Sequence, residues 1–414
     1  MMMSYGARVT TGAVAAGVLV ALMGTIPAQA GPDAGVAPAT ERVSVTRDGG
    51  QLDAASYDAD MGEERVTAFT SEGPVWDRDT NGQPDVYKLT HSGTSPISGW
   101  PSGPSYDGSP CASGRQTGFV SESTDVSYPP LPDDRPVVYT HNIAQGKYSY
   151  VRGYQGAHFT SAGQPTVDPS CQWLTFTATL PPTDPGEKPR SHIYRFVFHG
   201  GTVDRVSDDS PGAGAASDSD VSRDGRYVAY RQGRDVHVRD MDTGTVEKVS
   251  VARDGGAADG ASSVPSISAD GRRVAFTSRA SNLVPGDRNG GVNVFVRDLD
   301  TDTTTLVKGS GAKSWTAEPS LSADGAHLAY TSAGPGRGKA AVPAVFLREL
   351  ATGETQLISA DVDGGRNDLP ARRPSVNGDG SVVAFDSASP DLVTGDTNRL
   401  SDVFLRTVKD GQSG

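Results

Sequence analysis

Short apolar runs with period-2 alternation recur along the chain, and they predict β-strands. In residues 265–307, PSIS leads through Asp270 and Gly271 into RRVAFTS, where Val274 and Phe276 alternate with polar or small neighbours. An Asp-Gly pair favours a tight turn, because glycine takes positive φ without steric cost. NVFVRDL and TTTLV follow, separated by a second turn. Four antiparallel strands in about 45 residues have the size of one propeller blade.

This pattern recurs along the whole chain. Clear copies are SRDGRYVAYRQ from Ser222, SADGAHLAYTS from Ser322 and NGDGSVVAFDS from Asn377, and weaker copies lie near Met61, Cys111 and Pro165. An aromatic residue closes the second strand of each copy, at Phe69, Phe119, Phe176, Tyr230, Phe276, Tyr330 and Phe385. The copies are about 54 residues long, as propeller blades are. We therefore predict an all-β fold, a seven-bladed β-propeller of four-stranded antiparallel blades.

The two ends of the chain complete one blade between them. The last copy stops after its third strand, DVFLRTV from Asp402. The segment ERVSVTRDGG from Glu41 matches VEKVSVARDGG from Val246, which is a fourth strand and the loop after it. We expect the N-terminal strand to complete the last blade, because an open seam would expose unpaired N–H and C=O groups. The predicted propeller spans residues 41–414.

The first residues have the layout of an export signal. Met1–Ala30 carries one Arg, the apolar run GAVAAGVLVALMG and a small-residue site ending at Ala30. A membrane anchor is the alternative, but the run is short for a span. We predict a Sec-type signal peptide over residues 1–30 and a linker over residues 31–40. The mature protein should be secreted or extracytoplasmic, without membrane insertion after signal cleavage.

The net charge of the chain limits the classes of partner that it can bind. Its formal net charge is −13 at pH 7. Nucleic-acid binding requires basic stripes, and anionic membrane surfaces attract basic segments. We therefore expect neither nucleic acid nor a membrane surface as a partner, and we expect a monomer.

Both cysteines fall in the same part of the repeat. Cys111 and Cys171 lie in the turn between the first two strands of blades two and three. An even pair in an exported chain favours a disulfide, and equivalent turns of neighbouring blades lie on one face. Two unpaired small residues are the alternative.

One loop resembles a calcium site. Asp77, Asp79, Asn81 and Asp85 lie at offsets 1, 3, 5 and 9 of a segment with Gly82 at offset 6, as in the first half of an EF-hand loop. The twelfth position is Lys88 instead of the bidentate Glu. Calcium is thus a hypothesis for this loop, and an Asx-turn that bonds its own backbone is the favoured alternative. No other cofactor is expected.

Acidic residues also crowd the loops that lead into each blade. They are Asp48, Asp208, Asp209, Asp254, Asp259, Asp361, Asp363 and Asp368. In a propeller these loops share a face with the loops between the second and third strands. We expect one strongly acidic rim, which could steer a cationic partner or collect divalent ions. Solvated loops without a binding role are the alternative.

The segments DGRRVAFTS, NLVPGD and VFVRDL resemble the WD40-like repeat of TolB-type propellers, which occur in many exported bacterial proteins. The resemblance covers the mature chain and is strongest in blades four to seven. It implies the propeller fold much more than an activity. We expect neither the additional N-terminal domain of TolB nor the α/β-hydrolase domain of prolyl-oligopeptidase relatives.

Two functions of different classes remain open. The sequence has no G-x-S-x-G elbow, no H-E-x-x-H motif and no Cys/His zinc spacing, so we assign no catalytic residue. The favoured function is an exported, non-catalytic scaffold that binds a protein, peptide or glycan on its acidic face or in its channel. The alternative is a channel-mouth enzyme of the polysaccharide lyase or lactone hydrolase kind, because propeller active sites are assembled from scattered loops.

Overall fold

The computed structural model describes residues 39–408 except 127–134, 183–185, 187, 211, 288–289, 310, 312, 336–337 and 339–340. These residues belong to one compact unit, 37–414. The predicted signal peptide, residues 1–30, and most of the predicted linker lie outside the described residues. Within the described part, no helix has the length and apolar character needed to cross a membrane.

The strands are short and follow one another along the chain. The first is β1 (Thr40–Arg42). Blade one has β2 (Ser56–Met61), β3 (Thr67–Ser71), β4 (Asp85–Thr90) and β5 (Gly93–Pro96). Blade two has β6 (Ser105–Pro110), β7 (Gln116–Ser121), β8 (Val137–Asn142) and β9 (Lys147–Tyr150). A small hairpin follows, β10 (Gly153–Tyr154) and β11 (Ala157–His158). Blade three has β12 (Ser161–Val167), β13 (Trp173–Thr179), β14 (Ser191–Val197) and β15 (Val203–Arg205).

The second half repeats this order. Blade four has β16 (Ala216–Val221), β17 (Tyr227–Gln232), β18 (Asp235–Asp240) and β19 (Val246–Lys248). Blade five has β20 (Ser262–Ile267), β21 (Arg273–Ser278), β22 (Asn293–Asp298) and β23 (Thr303–Val307). Blade six has β24 (Trp315–Leu321), β25 (His327–Ala333), β26 (Ala344–Glu349) and β27 (Thr355–Leu357). Blade seven has β28 (Ala371–Val376), β29 (Val382–Ser387) and β30 (Asp402–Thr407).

Each blade is a four-stranded antiparallel sheet whose strands we name A to D; they follow the order of the chain in blades one to six, and in blade seven β1 lies beside β30. The fold is the predicted seven-bladed propeller. The aromatic residue predicted on strand B is buried in every blade. It stacks on a ring of strand C at centroid distances of 5.6–6.0 Å. Because such pairs add to the free energy gained by area burial, each blade carries its own aromatic centre.

Neighbouring blades are held together by apolar clusters. The cluster between blades seven and one contains Val43, Phe69, Tyr87, Val403 and Leu405, from both ends of the chain. At the seam, β1 pairs antiparallel with β30, Thr40 lying opposite Arg406. The first strand of the chain is therefore the D strand of the last blade in this structure.

A glycine in the A–B turn allows the blades to approach one another. Gly271 has φ of +75°, and a Cβ atom there would lie 2.2 Å from the Tyr227 ring of the preceding blade. A Cβ atom at Gly380 would likewise lie 2.4 Å from the His327 ring of the preceding blade. The Asp-Gly signal in the sequence thus marks both a turn and a contact between blades.

Candidate functional site

Every strand A contains a β-bulge at the same place. In blade five the five-residue motif around the bulge is 262–266, and the pairing of strand A with strand B shifts register between its second and fifth residues, Ser263 and Ser266. The same shift occurs in five other blades, and in blade four it falls between Ser217 and Ser219. The third residue of the motif is left-handed in all blades, with φ of +48° to +54°. These seven residues, which we call the mouth residues, are Asp58, Asp107, Gln164, Asp218, Val264, Glu318 and Arg373. A bulge re-aims one side chain, and left-handed non-glycine residues are uncommon outside constrained sites.

The mouth residues surround one end of the central channel. They line a cavity of about 470 Å³ together with the two residues that follow each of them in strand A. A second cavity of about 120 Å³ continues toward the A–B turns. The larger one has the size of cavities that bind small ligands or single side chains.

The two cavities meet at a ring of hydroxyl and carboxylate groups, which we call the hydroxyl ring. Its members are Asp60, Ser109, Thr166, Asp220, Ser266, Ser320 and Ser375. In most blades the side chain accepts a hydrogen bond from a backbone N–H in strand A of the next blade. Examples are Leu321 N–H to Ser266 Oγ at 3.0 Å and Val376 N–H to Ser320 Oγ at 3.1 Å. The ring therefore satisfies edge N–H groups that no neighbouring strand pairs with.

Two aspartates replace hydroxyls in this ring. Asp220 accepts the Ile267 N–H at 2.8 Å and the Val221 N–H at 2.8 Å. Asp60 faces Pro110, which has no N–H to donate, and it accepts the Ser375 hydroxyl at 3.0 Å. Burial raises the pKa of Asp60, and it raises the pKa of Asp220 to about 6.

One arc of the mouth, in blades seven, one and two, carries side chains that differ from those at the equivalent positions of the other blades. Tyr57 and Tyr106 come directly before the mouth residues of blades one and two. The equivalent residues of blades three to five are small: Gly163, Ser217 and Ser263. The Tyr106 hydroxyl donates to Glu122 at 2.8 Å. A structural role repeats around a ring, whereas a binding site occurs once, so this arc is the candidate site.

Strand A of blade seven brings two guanidinium groups to the arc, Arg373 at the mouth position and Arg372 before it, where Arg372 Nη1 lies 3.7 Å from Glu318. Arg373 pairs with Asp58 and lies 3.5 Å from Asp386 Oδ2, and its backbone N–H donates to Glu318 at 2.9 Å. Burial raises the pKa of Asp386 to about 7, although the Arg373 charge opposes this. Burial, together with the charge of Asp58, raises the pKa of Asp107 to about 6. Among the seven mouth residues there are four carboxylates and one cation, and Arg231 and Arg372 lie beside two of those carboxylates.

The loop predicted to bind calcium forms hydrogen bonds within itself. Asn81 Oδ1 accepts the Gln83 N–H at 2.9 Å, which is an Asx-turn. The Asp85 carboxylate accepts Asn81 Nδ2–H at 2.8 Å and the Ser98 hydroxyl at 2.7 Å, and burial raises its pKa to about 6. Asp79 accepts the Tyr87 hydroxyl, while Asp77 is exposed. Calcium binding at these residues remains a prediction.

In the equivalent loop of blade seven, an arginine side chain lies beside the carboxylates. Arg42 Nη1 lies 3.7 Å from Asp396 and 3.5 Å from Asp402, and both carboxylates are fully buried. Leu400 N–H donates to Asn398 Oδ1 at 3.0 Å, so the Asx-turn of blade one recurs. Across the described residues, no three His, Cys, Asp or Glu side chains are grouped so that they could hold a metal ion.

The acidic residues of the D–A loops bond mainly to their own loops. Asp361 Oδ1 accepts the Gly365 N–H of its own loop at 2.6 Å, whereas Asp259 accepts the N–H and hydroxyl of Ser281 in the B–C loop of blade five. Asp254 accepts the Gly256 N–H at 3.0 Å. The contacts of Asp254 and Asp361 form turns, and the acidic side chains nearest the channel are the mouth residues instead.

The two cysteines are joined as predicted. Cys111 and Cys171 form a disulfide with a Cα–Cα distance of 5.0 Å, linking the A–B turns of blades two and three. Disulfides persist in oxidising compartments, so the bond fits an extracytoplasmic protein.

The mouth residues were missed by the sequence reasoning, which looked for chemistry in the loops. A signal was present: aligned copies of strand A read SYDAD, SYDGS, AGQPT, ASDSD, SSVPS, TAEPS and ARRPS. The second and third columns vary while their neighbours stay small. The constant columns serve the packing that every blade shares, so the two variable columns are the ones in which a side chain can serve a role of a single blade.

The comparisons with known proteins establish the fold. No protein-family model matches the chain, and no curated protein matches it in sequence. Oligogalacturonate lyase from Vibrio parahaemolyticus matches with 12% identity and a TM-score of 0.57, over 91% of this chain and 98% of that chain. The propeller domain of the Trilobed protease from Pyrococcus furiosus matches with 10% identity and a TM-score of 0.55, over 87% and 96%. TolB from Acinetobacter baumannii is also among the matches, with 16% identity, a TM-score of 0.42 and coverage of 72% and 64%.

Proposed function

We propose that this chain is an exported, non-catalytic binding protein whose partner, a protein, peptide or glycan, docks in the channel mouth. The observation that carries the proposal is the single arc of repeat-breaking side chains, which lies beside a cavity of about 470 Å³. Export is supported by the signal-like sequence of residues 1–30 and by the disulfide.

The rival function is an enzyme with its site in the channel mouth. A lyase of this fold exists, as the Vibrio parahaemolyticus protein shows, but at 12% identity the likeness extends to the fold alone. An oligogalacturonate carries carboxylates, and the mouth residues include four carboxylates and one guanidinium. Arg231 and Arg372 lie beside Asp218 and Glu318, so the excess negative charge lies near Asp58 and Asp107. Because like charges repel at close range, this side of the mouth disfavours such a substrate. These charges support binding of a neutral or cationic partner.

The test is affinity selection of peptide and oligosaccharide libraries on the mature protein, read out by mass spectrometry. Val264 is a mouth residue with 41% of its surface exposed, so Val264→Trp should obstruct the cavity without changing charge. The matched control is Val362→Trp, at a 56% exposed loop position outside the cavity. We expect ligands to be retained with unchanged mass by the wild type and the control, and lost by Val264→Trp. Ligands recovered as shorter or eliminated products would favour the enzyme, and equal retention by both variants would remove the mouth from the binding site.

A further inference from the structure

We propose that the mouth recognises the ammonium or guanidinium group of a Lys or Arg side chain on a partner peptide, and that Asp58 and Asp107 hold this group. The inference rests on the proposed binding function and specifies its ligand.

The first observation is an imbalance of charge on the arc. Three of the four mouth carboxylates have an arginine beside them: Arg373 pairs with Asp58 and also with Asp386, Arg372 lies 3.7 Å from Glu318, and Arg231 lies 3.9 Å from Asp218. Asp107 lies close enough to Asp58 for the two charges to interact, and it forms no ion pair with any residue that the structure describes. A cationic group from a partner would pair with Asp107 and relieve its repulsion with Asp58.

The second observation is independent of charge and concerns buried polar atoms behind the arc. Thr177 and Thr331 of strand B donate to the mouth residues of their own blades, Gln164 and Glu318, at 2.8 and 2.7 Å. Thr70 occupies the equivalent position behind Asp58 and is fully buried. Its hydroxyl nevertheless has no hydrogen-bond partner among the described residues, because Asp58 turns toward Arg373.

A second unpartnered atom lies on the same arc. Asp386 is 7% exposed, and its Oδ1 has no hydrogen-bond partner in the described part of the chain. Blade five also has an unpartnered hydroxyl, Thr277, but the mouth residue there is the apolar Val264. On the arc the groups beside these atoms are carboxylates, so hydrogen-bond capacity is unused directly behind the mouth residues Asp58 and Arg373. Buried polar atoms of this kind favour an additional donor, since each costs free energy while unpaired.

The surroundings of the aspartates favour a peptide over a free polyamine. Tyr57 and Tyr106 are half-buried neighbours of Asp58 and Asp107 in the same strands. Tyrosine is enriched at the centres of protein interfaces, because it offers rigid contact area with a polar tip. A peptide backbone can cover both rings while one basic side chain enters the cavity.

The test measures binding of tetralysine by isothermal calorimetry to the mature protein and to charge variants. Asp58→Asn and Asp107→Asn suit it, because Asn tolerates left-handed φ and the half-exposed Asp58–Arg373 pair adds little stability. We expect each to weaken binding by about tenfold, the loss expected for one charge-assisted hydrogen bond. Asp363→Asn, which removes the same charge from an exposed loop outside the cavity, should bind as the wild type does.

Fully acetylated tetralysine keeps the peptide and loses the charges, so it should not bind. Equal affinities of Asp107→Asn and Asp363→Asn would overturn the inference, and so would equal binding of the acetylated peptide. Binding of spermidine as tight as that of tetralysine would overturn the assignment to a peptide. If Val264→Trp abolishes retention of library ligands while tetralysine does not bind, this inference fails and the proposed function stands. If tetralysine binds Val264→Trp as it binds the wild type, both fail.

Discussion

Replacing Asp220 by Ser should remove part of the loss of stability that the protein shows as pH rises from about 4 to about 6. The hydroxyl ring has Ser at the equivalent position in four other blades. A Ser hydroxyl there can accept the Ile267 N–H, as Ser266 accepts the Leu321 N–H at 3.0 Å. Asp220→Ser thus replaces a carboxylate by the hydroxyl found in those blades, and the side chain still accepts the Ile267 N–H.

The magnitude follows from proton linkage. Burial raises the pKa of Asp220 from 3.8 to about 6. The folded state therefore binds a proton that the unfolded state has released, and stability falls as pH rises from about 4 to about 6. A shift of roughly two pKa units corresponds to about 3 kcal/mol of unfolding free energy, which is lost by the wild type and not by the variant. The Val221 N–H loses one acceptor in the variant, at a cost of about 1 kcal/mol that is independent of pH.

Urea unfolding followed by tryptophan fluorescence at pH 4, 6 and 8 measures this difference. We expect Asp220→Ser to be about 1 kcal/mol less stable than the wild type at pH 4 and about 2 kcal/mol more stable at pH 8. The mirror control is Ser320→Asp, which adds a carboxylate to the ring and should lose stability over the same pH range. A difference between wild type and Asp220→Ser that stays constant with pH would show that Asp220 takes up no proton on folding.

Three further predictions concern the seam, the disulfide and the calcium loop. Deleting residues 41–46 removes most of β1 and the Ser44 hydroxyl that donates to Asp402 at 2.7 Å, so the melting temperature should fall far more than for a terminal trim; equal melting of the two forms would contradict this. Reducing the Cys111–Cys171 bond, which spans 60 residues, should cost about 4 kcal/mol, and thiol reagents should label the protein only after reduction. Millimolar calcium should raise the melting temperature and Asp79→Ala should remove most of that rise, whereas a wild-type curve unchanged against a chelator would rule out stabilising calcium binding.

The fold could be predicted from the sequence because its signals are local and repeated. About ten consecutive residues are enough to recognise the strand around Phe276 and the Asp-Gly turn before it. Seven copies then fix the blade count. The disulfide followed from the same repeat, since it assigned Cys111 and Cys171 to equivalent turns of neighbouring blades.

The start of strand A could not be predicted in the same way. The alternation in PSIS suggested a strand from Pro265, whereas β20 begins at Ser262. The bulge at Val264 breaks the period of two, and a β-branched residue gives no sign that it adopts φ of +50°. Strand A accommodates Pro265 because this residue lies at the bulge.

The candidate site was missed because its residues are separated by whole blades. Asp58, Asp107 and Arg373 come together only when the ring closes, so no local motif contains them. The acidic loops that drew attention instead, such as Asp254 and Asp361, accept N–H groups of their own turns. Their composition resembles a binding surface, and their geometry is that of ordinary turns.

A crystal structure of the mature protein with tetralysine tests recognition at the channel mouth most directly. We expect a lysine ammonium group in the channel mouth, within hydrogen-bond distance of the Asp58 and Asp107 carboxylates, with the peptide backbone lying over Tyr57 and Tyr106. A peptide bound only at the outer loops, with the mouth unchanged, would contradict this expectation.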